Sequence, residues 1–189
     1  MKKVLARLGY ASGITKIDTV VEDIILDELE LSKKLISPKY VLSHCPITLS
    51  GPSTISLGSF VINSKSLADL LSNCVTGCGF AVTIGSHLEE KRDAYARNKN
   101  TTRALVLDAI GSEMVDYLAG LIDIQIQEEA NKDGLKTTRR FSPGYGDWPV
   151  SGQTEFLKWL GAKAAGISLS PACQMTPEKS VSAILGVYK

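Results

Sequence analysis

The residues best suited to hold a ligand lie between Arg139 and Pro149, which read RRFSPGYGDWP. Arg140 carries a planar fork suited to bidentate capture of a carboxylate. Pro143-Gly144 is the preferred central pair of a type II turn, since proline fixes φ near −65° and glycine supplies φ > 0. Gly146 adds a second point without a Cβ, where backbone can approach a ligand closely. Tyr145 can stack on a heterocycle while its hydroxyl stays bonded. Together these groups describe either a pocket for a small zwitterion carrying a base and a carboxylate, or a plain turn with an aromatic packed over a sheet and Arg140 in solvent.

Other chemistries are not signalled. The chain has no GxGxxG after a strand, no GxxxxGK[ST] and no GxSxG, which sets aside dinucleotide, P-loop and nucleophile-elbow sites. Two histidines, His44 and His87, are too few for a histidine metal centre. Cys74 and Cys78 have CxxxC spacing without a second pair beside them, and read as buried small hydrophobes with no assigned role. AVTIG (81–85) ends a strand just before a helix, either as the wall of a cleft or as a simple turn.

The elements that must position the Arg140 stretch follow from periodicity. Asp18 caps a helix with Val21, Ile24, Ile25 and Leu29 on one face, running to about Lys34. YVLSHC (40–45) and TISLGSFVI (54–62) read as strands, the second bent at Gly58. Ser64 or Ser66 caps a short helix, SLADLLSN. CGFAVTIG (78–85) is a buried strand, and HLEEKRDAYARN is a charged helix. The longest helix runs from Thr101 to Gly134, capped by Thr101 or Thr102, with a broad apolar face for the core. GQTEFLKWLGAK is a further helix, and GISLS and SVSAILGVY are strands. This order lacks a regular βαβ alternation. It predicts an α+β domain over residues 1–189, with a twisted, largely antiparallel sheet packed by helices around one long central helix.

Composition agrees with one globular unit. Of 189 residues, 44% are hydrophobic and 22% charged, and 21 basic against 20 acidic residues leave a net charge of +1. That balance gives no reason to expect a nucleic-acid partner or an acidic membrane surface. The opening MKKVLARLGYASG breaks its apolar run at Arg7, so it has no signal-peptide core, and no stretch approaches a membrane span; the expected location is cytoplasmic.

The stretch RFSPGYGDWP resembles the Arg-x-x-Pro-Gly-Tyr motif of the S-adenosylmethionine-binding activation domain of cobalamin-dependent methionine synthase. The preceding LDAIGSEMVDYLAGLI is similar to that domain's long acidic helix. The downstream SLSPACQMTPEKSVSAILGV is similar to its closing pattern of a Met, a Pro and a Ser-Val-Ser strand. The resemblance is dense over 101–189 and weak over 1–100, where YVLSHCPI and AVTIG fit shorter members. The chain departs from the pattern in its N-terminal acidic segment, in the aromatic of the closing strand (here Ala183-Ile184-Leu185) and in the histidine after the motif (here Val150-Ser151-Gly152).

The resemblance implies a site and a function. Arg140 takes the methionine carboxylate, Pro143, Gly144 and Tyr145 line the adenosine side, and Ser142 offers backbone groups to adenine. An acidic residue of the long helix meets the positive end of the ligand; the apolar pattern favours Asp116, with Glu113 one turn earlier as the rival. The cofactors are S-adenosylmethionine and a cobalamin carried by the partner, with no metal site in the chain itself. The implied role is a reactivation subunit docking transiently, in trans, on a cobalamin-dependent methionine synthase core. A reductant such as a flavodoxin or a ferredoxin would serve it. The alternatives are a non-catalytic S-adenosylmethionine-sensing module and an accessory of another corrinoid methyltransferase.

Overall fold

Two helices open the chain, α1 (Lys2–Arg7) and α2 (Thr19–Leu35), and Asp18 caps the second by accepting from the Val20 amide at 2.8 Å. The computed structural model describes residues 1–11 and 14–189; Ser12 and Gly13, which close the N-terminal stretch read above, lie outside the described residues. Strand β1 (Lys39–Leu49) follows. TISLGSFVI then forms a hairpin, β2 (Thr54–Leu57) and β3 (Phe60–Asn63), where one bent strand was expected. Gly58 turns the chain at φ +62°, a conformation that glycine adopts without a Cβ penalty.

Ser64 caps α3 (Lys65–Leu71) by accepting from the Leu67 amide at 3.1 Å, and β4 (Thr76–Thr83) comes next. Helix α4 (His87–Arg97) precedes the long α5 (Thr101–Lys132). Asn100 occupies the cap position of α5, without a side-chain capping bond, so neither Thr101 nor Thr102 has the capping role expected of it. After α5 come a two-residue strand β5 (Lys136–Thr137), helix α6 (Gln153–Leu160), the ribbon β6 (Ser168–Leu169) and β7 (Met175–Thr176), and β8 (Ser180–Tyr188).

Six strands form one sheet in the order β3-β2-β1-β4-β8-β5, every neighbouring pair antiparallel. The α+β expectation holds, and so does the long helix against an antiparallel sheet. Alternation along β4 and β8 covers both faces. Ala81 and Ile184 point into a cluster with Leu67, Phe156 and Trp148, whereas Phe80, Val82, Ala183 and Leu185 face Leu107, Val115 and Ile122 of α5. A fully buried Phe or Ile of this kind contributes about 1.5–3 kcal/mol. A third cluster joins Val4 of α1 and Ile25 of α2 to Val106, Ala109 and Ile110 of α5. The long helix is therefore shared by two clusters, and α1 and α2 lie on its far side.

Cys74 and Cys78 face opposite layers: Cys74 packs with the α3 cluster and Cys78 with the α5 cluster, so the CxxxC spacing creates no dithiol. Burial, with the nearby Glu129 charge, pushes the Cys78 thiol up to about 11, which suits the small-hydrophobe reading. Among the described residues no helix is long and apolar enough to cross a membrane.

Candidate functional site

The RRFSPGYGDWP stretch is pinned to the outer edge of β8. Phe141 exchanges two backbone hydrogen bonds with Ile184, each 2.8 Å, and the Ser142 hydroxyl donates to the Ser182 carbonyl at 2.8 Å. From that anchor the chain turns as its residues dictate. The Tyr145 amide donates to the Ser142 carbonyl at 3.0 Å across Pro143-Gly144, and Gly144 has φ +92°, the type II arrangement. A second turn follows, in which the Trp148 amide donates to Tyr145 and the Gly144 amide donates to the Trp148 carbonyl at 2.8 Å. Three amides and three carbonyls near the bend are thus spent internally. Beneath it, Phe141 stacks on Trp148 with centroids 6.4 Å apart, and Trp148 meets Phe156 edge-on.

Gly146, with φ +54°, serves close packing against protein: a Cβ there would stand 2.9 Å from the Ser66 Oγ and 3.2 Å from Phe141. The reason for that approach is Asp147. Its carboxylate accepts from the Ser64 hydroxyl at 2.6 Å, the Lys65 amide at 2.7 Å and the Ser66 amide at 3.1 Å. The first turn of α3 therefore holds the site's loop. The Ser64 hydroxyl, followed by these amides, keeps the Asp147 carboxyl well below the ordinary carboxylate range. Tyr145 stays 61% exposed, its ring edge-on to Phe141, free to cover a ligand.

Arg140 stands at the mouth of this frame and faces α5. Its Nε lies 2.9 Å from Asp123 Oδ2, and the Arg140 side chain is half-buried. The other carboxylate oxygen, Asp123 Oδ1, is buried without a hydrogen-bond partner. Burial raises the Asp123 carboxyl above its ordinary value although Arg140 pulls it down. An acid half satisfied by a guanidinium, with its second oxygen unpartnered, has the charge and the open valence to accept from an ammonium.

Asp116 and Glu113, the acidic residues expected to meet the ligand's positive end, stand nearer the N-terminus of the same helix than Asp123. Both pair with Arg7 of α1, through Nη2 and Nε respectively. Glu113, Asp116, Gly120 and Asp123 recur at intervals of three and four, which places them on one stripe. Seven residues separate Asp116 from Asp123, about 10 Å along the axis. The structure therefore brings Arg140, Ser142, Pro143, Gly144 and Tyr145 together with Asp123, and it leaves Asp116 and Glu113 two turns or more away. Between the two acidic positions, Gly120 borders open space. Asp123 and Asp147 are the residues that sequence reasoning missed. For Asp123 the signal was present, as the carboxylate one heptad beyond Asp116 and closer in sequence to Arg140.

Nothing beside this frame resembles a nucleophile with its base. His44 and His87 are exposed, and no group of three or more His, Cys, Asp or Glu side chains capable of holding a metal occurs among the described residues. The AVTIG strand end borders a cavity of only about 190 Å³ with Ser37, His87 and Pro177, below the usual span of roughly 300–1,000 Å³ for ligand pockets. What the Arg140 frame offers is positioning.

The comparisons with known proteins show the family and the fold. The family described as the vitamin B12 dependent methionine synthase activation domain matches residues 11–188, and the chain belongs to that family. Among solved structures, the chain is similar to the MetH reactivation domain bound to AdoHcy, with a TM-score of 0.75 at 17% identity. The match covers 96% of this chain and 71% of that one, and at this identity it is a likeness of fold. No curated protein matches the chain.

Proposed function

We propose that the chain binds S-adenosylmethionine through the Arg140–Asp123 pair and the Pro143–Tyr145 turn, and supports the reductive methylation of cobalamin held by a methionine synthase core, acting in trans. Family membership supports the general reading. The single observation that carries the site is the unpartnered Asp123 Oδ1 next to the Arg140 guanidinium, because an amino acid supplies the two charges that this arrangement lacks. A buried carboxylate oxygen without a partner is costly, and a ligand ammonium would satisfy it.

In this reading Arg140 turns its terminal N–H groups to the ligand carboxylate while Asp123 takes the ammonium. Tyr145 covers the adenosine side, and the Ser142–Pro143–Gly144 backbone borders it. Gly120 leaves room on α5 for the sulfonium end, with Asp116 and Glu113 further along the same stripe. With a partner's reduced corrinoid in place, the bound donor would give up its methyl group and leave as a thioether. The chain's own contribution is to hold that methyl in line, which needs no acid, base or nucleophile of its own. The electron comes from a separate donor of the flavodoxin or ferredoxin class.

Two measurements test this. Calorimetric titration with S-adenosylmethionine should give one site per chain. The same protein should then restore methylation to an oxidised, cobalamin-loaded synthase core under reducing conditions, with S-adenosylmethionine present. A chain that binds the ligand yet leaves the core inactive would be a sensing module, and the reactivation role would be withdrawn.

A further inference from the structure

Strand β1 is paired along its two sides over different residues. On one side β4 accompanies it from Lys39 to Pro46, and on the other β2 takes only Ile47, Thr48 and Leu49. The side of β1 away from β4 therefore has no strand beside it from Lys39 to Pro46. Main-chain groups alternate in direction along an antiparallel pair. The Ile47 amide donates to the Val75 carbonyl at 3.1 Å, toward β4, and the Ser50 amide to the Thr54 carbonyl at 3.0 Å, toward β2. Odd residues of β1 thus address β4, and the N–H and C=O of Tyr40, Leu42 and His44 point outward. None of these groups meets a main-chain partner among the described residues. Helix α6 crosses the face of the sheet and not this border, since a Cβ at Gly79 of β4 would stand 2.5 Å from the Trp159 ring. Tyr40 is 49% exposed and His44 is exposed too. The border lies two strands away from β8 and the Arg140 frame.

Both ends of the open stretch are marked. Pro46 has no N–H, and the Gly58 turn between β2 and β3 closes on Cys45, with the place of a Gly58 Cβ 3.3 Å from its Sγ. At that turn Ser59 and Phe60 border a cavity of about 380 Å³ with Glu155, Lys158 and Trp159, room for an incoming side chain. A second copy of the chain does not fit. The register that pairs all three outward residues between two copies centres on Leu42, and it sets Pro38 of one copy against Pro46 of the other, where the Gly58 turn already sits. The border admits a single extended segment of about five residues, roughly 17 Å. Cations flank it. Lys34 and Lys39 stand at its entry, and Lys163 belongs to the helical turn Ala162–Ala165, whose Ala165 shares a small cavity with Lys39. Glu155, the acid of α6, is spent on Lys158 at 3.6 Å.

We propose that this border of β1 is a docking site for an extended acidic segment of a partner protein, which adds a strand beside Tyr40, Leu42 and His44. Main-chain pairing supplies the grip, and the surrounding lysines select an acidic sequence.

The test is amide hydrogen exchange, resolved by residue, on the full chain with an acetylated and amidated heptapeptide that alternates glutamate with valine and threonine. In the free chain the Tyr40, Leu42 and His44 amides should exchange fast, and those of Val41, Ser43 and Cys45 slowly. At about nine-tenths occupancy by the peptide the three outward amides should slow about tenfold. Of two forms of the peptide N-methylated on alternate residues, one in each phase, one should bind and the other should not. A peptide with lysine in place of glutamate should not bind. His44→Pro removes one outward donor and no ladder bond, so it should keep its thermal midpoint and bind the acidic peptide more weakly. Outward amides that are already slow in the free chain, or unchanged by millimolar peptide, overturn the proposal. Binding of both N-methylated forms overturns the main-chain pairing, and equal binding of the lysine peptide overturns the acidic partner. Slowing that grows with protein concentration in the absence of peptide would assign the border to a second copy and overturn it as well.

Discussion

Asp147 and Ser64, 83 positions apart, meet at 2.6 Å through the serine hydroxyl, and this contact builds the ligand turn on the cap of α3. The same hydroxyl accepts from the Leu67 amide at 3.1 Å, so one serine starts the helix and holds the loop.

Asp147→Ala should therefore lower the thermal midpoint and free the Tyr145 turn. The native contacts depress the Asp147 pKa, so their stabilisation is complete above the unfolded value of about 3.9 and is lost as the pH falls toward the native one. Thermal melts should show the widest gap between wild type and variant near neutral pH, closing in acid. A gap that widens in acid would contradict the assigned contacts.

Arg140→Ala should weaken S-adenosylmethionine by roughly 2–5 kcal/mol, the cost of leaving a bound carboxylate without its charge partner. Arg140→Lys should recover only part of this loss, because an ammonium has no fork. Calorimetry on all three proteins decides it.

Asp123 gives the opposite pH signature to Asp147. Burial raises its pKa in the folded protein, so its charged form opposes folding, and that penalty appears as the pH rises through the folded value. Asp123→Asn should be at least as stable as wild type near neutral pH and converge with it in acid. It should also bind S-adenosylmethionine more weakly at neutral pH. Wild-type affinity should fall toward acid as Asp123 protonates, and that of Asp123→Asn should stay flatter.

Gly146→Ala places a Cβ at φ +54° and 2.9 Å from the Ser66 Oγ. The expected cost is about 1–3 kcal/mol in chemical denaturation, from backbone strain and crowding together. An unchanged midpoint would mean that the turn can part from α3 without loss.

Much of the scaffold was legible because local chemistry and tertiary structure agree. Asp18 caps α2 as a capping aspartate should, and the central strand β4 reads as an apolar run bounded by glycines. The Pro143-Gly144 bend follows from the φ preferences of its two residues. The acid facing Arg140 was harder to read, for a geometric reason. Apolar periodicity fixes which face of a helix a residue occupies and says nothing of its height along the axis. A shift of seven residues returns to nearly the same face, so Asp116 and Asp123 share one stripe and only the fold chooses between them. The hairpin at Gly58 was read as one strand because its two arms carry similar residues and only a short turn parts them. Asp147 was invisible for want of any local partner.

The anchoring of Phe141 also bears on how a second protein can approach. Along the outer side of β8, the Ser182 carbonyl takes the Ser142 hydroxyl and Ile184 exchanges both bonds with Phe141. The Gly186 carbonyl and amide meet the Thr138 amide and hydroxyl, and Tyr188 pairs with Lys136. Every other residue of that border is already engaged from within the chain. An incoming strand would find this border largely taken over residues 184–188, so recognition on this flank of the molecule falls mainly to side chains.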